Sequence, residues 1–499
     1  MHTALCLPST PAPSCARLRA AAAAGCFLVS LLAAPARAAE PPSAAKDPVP
    51  DPAVLARIRD AAMESNWAWR HLAELTDKVG PRPAGSPQDA AAVAQIAAAL
   101  RASGAQVRLQ PVRVNHWVRG EERAELTAYA DQPAGLSQRL HLTALGHSGA
   151  TPAAGITAKV VVLRDFAQLR ARAAEVRGNI VYFASVFDQS LAEGGQAGAA
   201  YGQAGAYRFT GPALAAEAGA AAVLLRSIGG ASYRLPHTGV TNWKPGQTPI
   251  PAAALAAEDG DLIDRLAAQG PVQMHLVLTP QTLAEADSAN VIADWPGRDK
   301  PDEVVIVSGH LDSWDLGTGA SDDGTGVIGA AAVIDVLRQV GVHPRRTIRF
   351  IGWADEENGA VGSKVYAASV DAAVASQVAA IESDSGAGHA MGITAAVTAD
   401  SVARLEPVRA ALQPLGAGVL RREESEQGAD ITPLQMRGVP GFSPLVDRRH
   451  YFDIHHTAAD TLDKVDPREL RAQVAVMAVL AYYLAELPEP LPRVTLPRE

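Results

Sequence analysis

The sequence predicts an α/β fold in which a mixed, mainly parallel central sheet is flanked by helices and interrupted by a β-rich insert. Two observations lead to this prediction. From Ala289 onward, apolar strand patterns alternate with helical patterns, which is typical of a parallel sheet covered on both faces. Between about residues 131 and 286, short β-runs are instead joined by glycine-rich loops. A length of 499 residues also exceeds one ordinary domain, so we expect two folded units.

The first 38 residues have the pattern of an export signal. Arg17 and Arg19 give a positive start, residues 20–34 form an apolar stretch, and a small-x-small cleavage sequence ends at Ala38. An uncleaved anchor and lipidation at Cys26 are the alternatives. We therefore expect a secreted or periplasmic protein with no membrane association once the signal has been removed.

Cysteine content and charge narrow the possible partners. Cys6, Cys15 and Cys26 all lie in the predicted signal, so the mature chain would have neither disulfides nor thiolate metal ligands. The signal has three arginines and no acid, so its removal would change the net charge from −9 to −12. An acidic surface without a basic run argues against nucleic acid or an anionic membrane as partner.

The main domain is predicted in two pieces, residues 39–130 and 287–499, with the insert at 131–286 between them. The elements of the first piece are a helix from Pro52 to Leu75, a loop to Ser86, a helix to Ala102, and strands at 107–114 and 124–128. The insert contains short β-runs at 160–163, 179–183 and 221–225. The second piece alternates between a strand at 304–307, a helix to Leu337, a strand at 347–351, a helix to Ser369 and a strand at 378–381.

Residues of the metal-ligand type follow the first strand of the second piece. This strand runs into His310-x-Asp312, and a metal-bound histidine needs a carboxylate or carbonyl behind its second ring nitrogen. Asp322 and Asp323 then stand at a glycine-rich helix start. They could simply cap this helix, but a carboxylate in this position could also bridge two metal ions.

The following strands end in similar residues. The strand at 347–351 leads to Glu356 and Glu357, and adjacent carboxylates can divide metal binding and proton transfer between them. An acidic helix start is the alternative interpretation. Asp384 follows the next strand, and His455 and His456 lie in a later loop, where an isolated pair of histidines is usually a surface feature.

The combined pattern is more informative than any single motif. Open α/β sheets form their binding crevice at the carboxyl ends of parallel strands, and these residues recur at such ends. A set of histidine and carboxylate ligands without thiolate fits paired zinc ions that activate water. We therefore expect two zinc ions as cofactors.

These motifs resemble those of the co-catalytic zinc aminopeptidase and glutamate carboxypeptidase superfamily. The stretches that carry the resemblance are residues 80–86, 111–117, 119–122, 308–315, 430–431 and 455–456. The middle block resembles the protease-associated insert of that superfamily, including residues 225–227 and 236–239. The resemblance implies a fold of the zinc aminopeptidase type. The metal ligands that it implies are His310 and Asp384 for one zinc, Glu357 and His456 for the other, and Asp322 as the bridge.

The resemblance also implies roles around the metals. Glu356 matches the general base, and Asp312 matches the carboxylate behind His310. The Asp322–Asp323 bond matches a position where the superfamily has a cis peptide. His456 is preferred over its neighbour His455 as ligand because it begins a His-Thr-x-x-Asp pattern. For the tyrosine that stabilises the oxyanion in related aminopeptidases, Tyr451 is a candidate and the role stays open.

The activity implied by the resemblance is hydrolysis of dipeptides or short peptides by a homodimeric carboxypeptidase or dipeptidase. An aminopeptidase that acts on longer peptides, an inactive binding relative and a single-zinc glutaminyl cyclase are the alternatives. The complete ligand set counts against the last two. Because the insert contains no cluster of acids and histidines, we expect it to stay clear of the metals and to shape the substrate cleft or a dimer contact.

Overall fold

The computed structural model describes residues 50–497. The predicted export signal at residues 1–38 lies outside the described residues. Two eight-stranded sheets, which we name the main sheet and the insert sheet, belong to one compact unit. Among the helices of the described part, none is long and apolar enough to cross a membrane.

The main sheet is mixed. Its strands, in spatial order, are Gln106–Val114, Ala286–Trp295, Arg346–Trp353, Lys300–His310, Gln377–Glu382, Gly441–Val446, Ala390–Ala396 and Val419–Arg422. The four strands from Arg346–Trp353 to Gly441–Val446 pair in parallel. Toward the first edge the pairs are antiparallel, and Ala390–Ala396 is antiparallel to Gly441–Val446. The predicted mixed, mainly parallel sheet is confirmed.

Helices cover both faces of the main sheet. Side chains alternate along a strand, so Val305 and Val307 point into one core while Val304 and Ile306 point into the other. The larger core is formed with helices Pro52–Glu64, Trp67–Glu74, Pro87–Ala102, Thr325–Val340, Glu406–Leu412 and Pro467–Glu486. The smaller core is formed with helices Val361–Ser369 and Thr432–Gln435.

The insert sheet has helices of its own. Its strands, in spatial order, are Gln138–Leu140, Glu122–Ala128, Gln273–Leu278, Ile156–Leu163, Ile180–Phe183, Ala222–Arg226, Ala252–Leu255 and Leu142–Ala144. Its helices are Phe166–Ala171, Ala173–Val176, Gln189–Leu191, Ala197–Phe209, Gly211–Glu217 and Ala257–Ala267. Trp117–Val118 and Gln281–Thr282 form a short antiparallel pair. They lie where the chain passes from the main sheet to the insert sheet and where it returns. Strand Glu122–Ala128 lies before residue 131, where the insert was expected to begin, and the domain limits stay a prediction.

The parallel strands place the predicted site. His310 is the last residue of strand Lys300–His310, Glu357 follows strand Arg346–Trp353, and Asp384 follows strand Gln377–Glu382. These strands are neighbours in the sheet and run in the same direction, so the three side chains meet at one edge.

Candidate metal centre

Asp322 lies between two histidines at the carboxyl edge of the main sheet. Its Oδ1 is 3.3 Å from His310 Nε2, and its Oδ2 is 3.1 Å from His456 Nε2. His310 Nε2 is also 3.7 Å from Asp384 Oδ1, and His456 Nε2 is 3.1 Å from Glu357 Oε2. In each of these two groups of three, the possible ligand atoms lie within 4.8 Å of one another. The structure therefore brings together all five side chains that the sequence predicts as zinc ligands.

The hydrogen bonds of the two rings show that this arrangement fits a cation. His310 Nδ1 is 3.0 Å from the carbonyl oxygen of Asp312, and His456 Nδ1 is 3.2 Å from the carbonyl oxygen of Thr238. Because a carbonyl only accepts, each Nδ1 carries a proton, and each Nε2 faces carboxylate oxygens. Each of these contacts needs a positive charge between nitrogen and oxygen, which either a proton on Nε2 or a metal ion supplies. Among the described residues, Glu357 Oε1 is also buried without a hydrogen-bond partner. These nitrogen and oxygen donors fit zinc.

The charges around the centre also favour a cation. Burial opposes a charged His310, but the carboxylates of Asp322 and Asp384 raise its pKa well above the ordinary value. Burial likewise opposes a charged His456, and Glu357 raises its pKa well above the ordinary value. Both Nε2 positions therefore favour positive charge, as two metal ions would require.

His455 and His456 have different surroundings. His455 Nε2 is 3.3 Å from Asp322 Oδ2, but its Nδ1 lies 3.1 Å from His237 Nε2 of the insert. Burial, followed by the adjacent His456, lowers the pKa of His455 well below its ordinary value, so this ring is neutral. His456 reaches both Asp322 and Glu357, whereas His455 is grouped with two other histidines. The geometry favours His456 as the ligand, and this assignment stays a prediction.

The sequence led us to expect that the carboxylate of Asp312 holds His310, but the structure shows a different contact. Asp312 Oδ1 is 3.8 Å from His310 Nδ1, whereas the Asp312 carbonyl oxygen is 3.0 Å away. The carboxylate instead accepts the backbone N–H groups of Glu356 at 3.0 Å and Glu357 at 3.3 Å. The chain turns directly after the strand, which brings the carbonyl to the ring and the carboxylate to the next loop. Asp312 thus orients His310 through its backbone and the two glutamates through its side chain.

Glu356, the predicted general base, is half-buried beside the centre. Burial raises the pKa of its carboxyl group well above the ordinary value, and the negative charge of Glu357 adds to the shift against the opposing effect of His310. A carboxyl group with a raised pKa can both accept and return a proton. Its position agrees with the predicted role, which stays a prediction.

Asp322 is held by backbone contacts that were not assigned from the sequence. Asp460 accepts the N–H of Ser321 at 2.7 Å and that of Asp322 at 3.0 Å. The Asp322–Asp323 peptide is cis, and Asp323 Oδ2 accepts the N–H of His310 at 3.0 Å. Asp460 is the acid of the His-Thr-x-x-Asp pattern, so that pattern is the signal that could have identified it.

Arg82 supports the same loops from a fully buried position. Its Nε donates to Leu311 O at 2.8 Å, and its Nη2 donates to Gly319 O at 2.9 Å. Its Nη1 donates to Thr318 O at 2.7 Å and to Gly80 O at 3.2 Å. The guanidinium therefore joins the loop that follows His310 to the turn that precedes Asp322. The motif at residues 80–86 was the only sequence signal for this residue.

The insert contacts two histidines of the centre, and whether it stays clear of the metals remains a prediction. The carbonyl of Thr238 faces His456 Nδ1, His237 faces His455, and Arg208 Nη1 is 3.5 Å from His456 Nδ1. The two groups that share Asp322 nevertheless consist of main-domain residues. These insert residues form no local cluster in the sequence, so their contacts with the two histidines could not be predicted from it.

Known proteins are similar to this chain in both fold and sequence. Residues 290–481 match Peptidase family M28. A peptidase M28 precursor from Shewanella amazonensis is 36% identical, with a TM-score of 0.83 over 90% of this chain and 99% of that one. A zinc aminopeptidase from Bacillus subtilis, at 19% identity, has a TM-score of 0.61 over 87% of this chain and 98% of that one, which shows the fold. The chain belongs to peptidase family M28 and is a zinc metallopeptidase.

Within this family the chain is similar to carboxypeptidase Q. The human protein of that name is 36% identical over 433 residues, which are 86% of this chain and 87% of the relative. The Xenopus laevis protein is 35% identical over 431 residues, or 86% of this chain and 88% of the relative. The resemblance predicted from the motifs is confirmed.

Proposed function

We propose that this chain is a two-zinc exopeptidase of the carboxypeptidase or dipeptidase type that hydrolyses dipeptides or short peptides. The observation that carries the proposal is the position of Asp322, whose two oxygens face the Nε2 atoms of two different histidines. One carboxylate between two such rings is what a pair of bridged ions requires. The name of the similar proteins, carboxypeptidase Q, supports the carboxypeptidase type.

In this proposal the residues divide the reaction between them. His310 and Asp384 would hold one zinc ion, Glu357 and His456 would hold the other, and Asp322 would contribute to both. Bound zinc would polarise the scissile carbonyl and acidify a water molecule. Glu356 takes the proton from the attacking water and returns it to the leaving amine. Asp312 keeps Glu356 in place by accepting its backbone N–H.

The test is zinc content and dipeptide hydrolysis of Glu356→Gln. The amide keeps the shape of the side chain but cannot accept a proton, so we expect kcat to fall at least about 100-fold while two zinc ions per chain remain bound. Glu285→Gln, at an exposed glutamate, is the matched control. Near wild-type turnover of Glu356→Gln would rule out Glu356 as the base. One zinc per chain in the wild type would favour a cyclase-like site, and none would favour a binding protein.

Variants of the ligands test the bridge separately. Asp322→Ala is expected to lose both zinc ions because it removes the shared carboxylate, whereas Glu357→Ala should weaken mainly one. Elemental analysis after dialysis measures both results. Loss of one ion in each variant would contradict the bridging role.

We also propose that the protein is exported and forms a homodimer. The signal pattern of residues 1–38 supports export, and the family resemblance supports the dimer. Amino-terminal sequencing of the protein released from cells and light scattering of the purified protein test these points. An intact amino terminus or a monomer at micromolar concentration would contradict them.

A further inference from the structure

A cavity of about 670 Å³ adjoins Asp384 between the main domain and the insert. The insert lines it with the start of helix Ala197–Phe209, and the main domain lines it with Arg421 and Arg448. Asp384 is a proposed zinc ligand, so this cavity lies next to the place where the scissile bond would be bound. A substrate held at the metals can therefore extend into it.

The two arginines of the cavity differ in their partners. Arg421 Nε lies 2.6 Å from Glu423 Oε1, so its charge is compensated within the protein. Arg448 is half-buried, yet none of the described carboxylates forms an ion pair or hydrogen bond with its guanidinium, and burial lowers its pKa. A Cβ atom at Gly198 would lie 3.3 Å from Arg448 Nη2, so the absence of a side chain there leaves room for the guanidinium. A partly desolvated cation without a partner favours binding of an anion.

We propose that Arg448 binds the free C-terminal carboxylate of the peptide substrate. A planar guanidinium offers paired N–H donors that match the two oxygens of a carboxylate. The positive end of helix Ala197–Phe209 faces the same cavity, and its first residues receive no side-chain cap from Gln196, which adds to the attraction. This inference rests on the proposed function, because a carboxylate held beside Asp384 places the hydrolysed bond close to the C-terminus.

The test compares the dipeptide Ala-Leu with its C-terminal amide. For the wild type, we expect kcat/KM to be about 10- to 100-fold higher for the free acid than for the amide. This ratio corresponds to the free energy of a charge-assisted hydrogen bond. In Arg448→Met this ratio should fall close to one, mainly through the free acid. Arg449→Met is the matched control, because Arg449 is exposed and pairs with Asp447, and it should keep the wild-type ratio. Arg448→Lys keeps the charge without the fork and should give an intermediate ratio if Arg448→Met fails to fold.

Two results would overturn the inference: equal hydrolysis of both substrates by the wild type, or an unchanged preference in Arg448→Met. A further arm compares Ala-Glu amide with Ala-Gln amide. Suppose that Arg448→Met removes a preference for Ala-Glu amide over Ala-Gln amide but leaves the preference for the free acid over the amide unchanged. The cavity then binds an acidic side chain, and the inference is wrong.

Calorimetry separates this inference from the proposed function. Binding of leucine and of leucinamide to the zinc-loaded wild type requires no turnover. If no peptide is hydrolysed, but leucine binds at least 10-fold more tightly than leucinamide and Arg448→Met removes this difference, the proposed function fails and the carboxylate site stands. Equal binding of leucine and leucinamide would overturn the carboxylate site, whatever the activity.

Discussion

Replacing Arg82 by methionine should destabilise the protein through the loops around the metal centre. The side chain is fully buried and donates to the carbonyls of Leu311, Thr318 and Gly319, as well as to the neighbouring Gly80. Methionine can fill much of the volume but donates nothing. Each buried carbonyl that loses its donor costs about 1 kcal/mol or more, and removal of a charged buried partner typically costs about 3–5 kcal/mol. We therefore expect Arg82→Met to lose about 3–5 kcal/mol of unfolding free energy.

The assay is guanidinium unfolding in the presence of a chelator, so that zinc binding does not contribute to the measured stability. Arg101→Met, at an exposed position of the helix that follows the same loop, is the matched control and should unfold like the wild type. Arg82→Lys keeps the charge but cannot reach three separate carbonyls, so most of the loss should persist. If Arg82→Met stays within about 1 kcal/mol of the wild type, the carbonyl contacts do not stabilise these loops.

Two further predictions concern the ligand histidine and a buried acid. His456→Ala should lose one zinc ion per chain, whereas His455→Ala should keep both. The reverse result in elemental analysis would exchange the assignments. Burial raises the pKa of Asp89 to about 6, so its contribution to stability is greatest below about pH 4 and is lost as the pH rises through 6. Asp89→Asn, which can still accept the N–H of Gly85, should therefore gain up to about 3 kcal/mol over the wild type between pH 4 and pH 7. A difference in thermal midpoint that stays constant over this range would contradict the shift.

The residues of the candidate centre could be predicted because most of them obey a local rule. His310, Glu357 and Asp384 each stand at or just after the end of a parallel strand, and such ends meet at one edge of a sheet. Asp322 and His456 do not directly follow a parallel strand, so this rule does not predict their positions. The sequence offered both as possible ligands, the family resemblance assigned their roles, and the structure brings them to the same edge.

The supporting contacts could not be predicted because they join residues far apart in the chain. Arg82 stands between two prolines in a loop, a pattern that usually indicates an exposed side chain, and three of its four carbonyl partners lie more than 200 residues away. The limits of the insert were uncertain for the same reason. Alternation indicated a strand at 124–128, but its place in the insert sheet depends on pairing with strand Gln273–Leu278, which the local sequence does not reveal.

Contacts of the insert connect it to the main domain and to His456 of the candidate metal centre. Arg119 donates to the hydroxyl of Thr238 at 3.3 Å and to the carbonyl of Ala144 at 2.8 Å, both in the insert, and pairs with Asp315 of the main domain at 2.7 Å. The carbonyl of the same Thr238 faces His456 Nδ1. Since this carbonyl fixes which ring nitrogen carries the proton, a shift of the insert would alter how His456 presents Nε2 to the centre. The insert therefore contributes, through Thr238, to the orientation of a proposed zinc ligand.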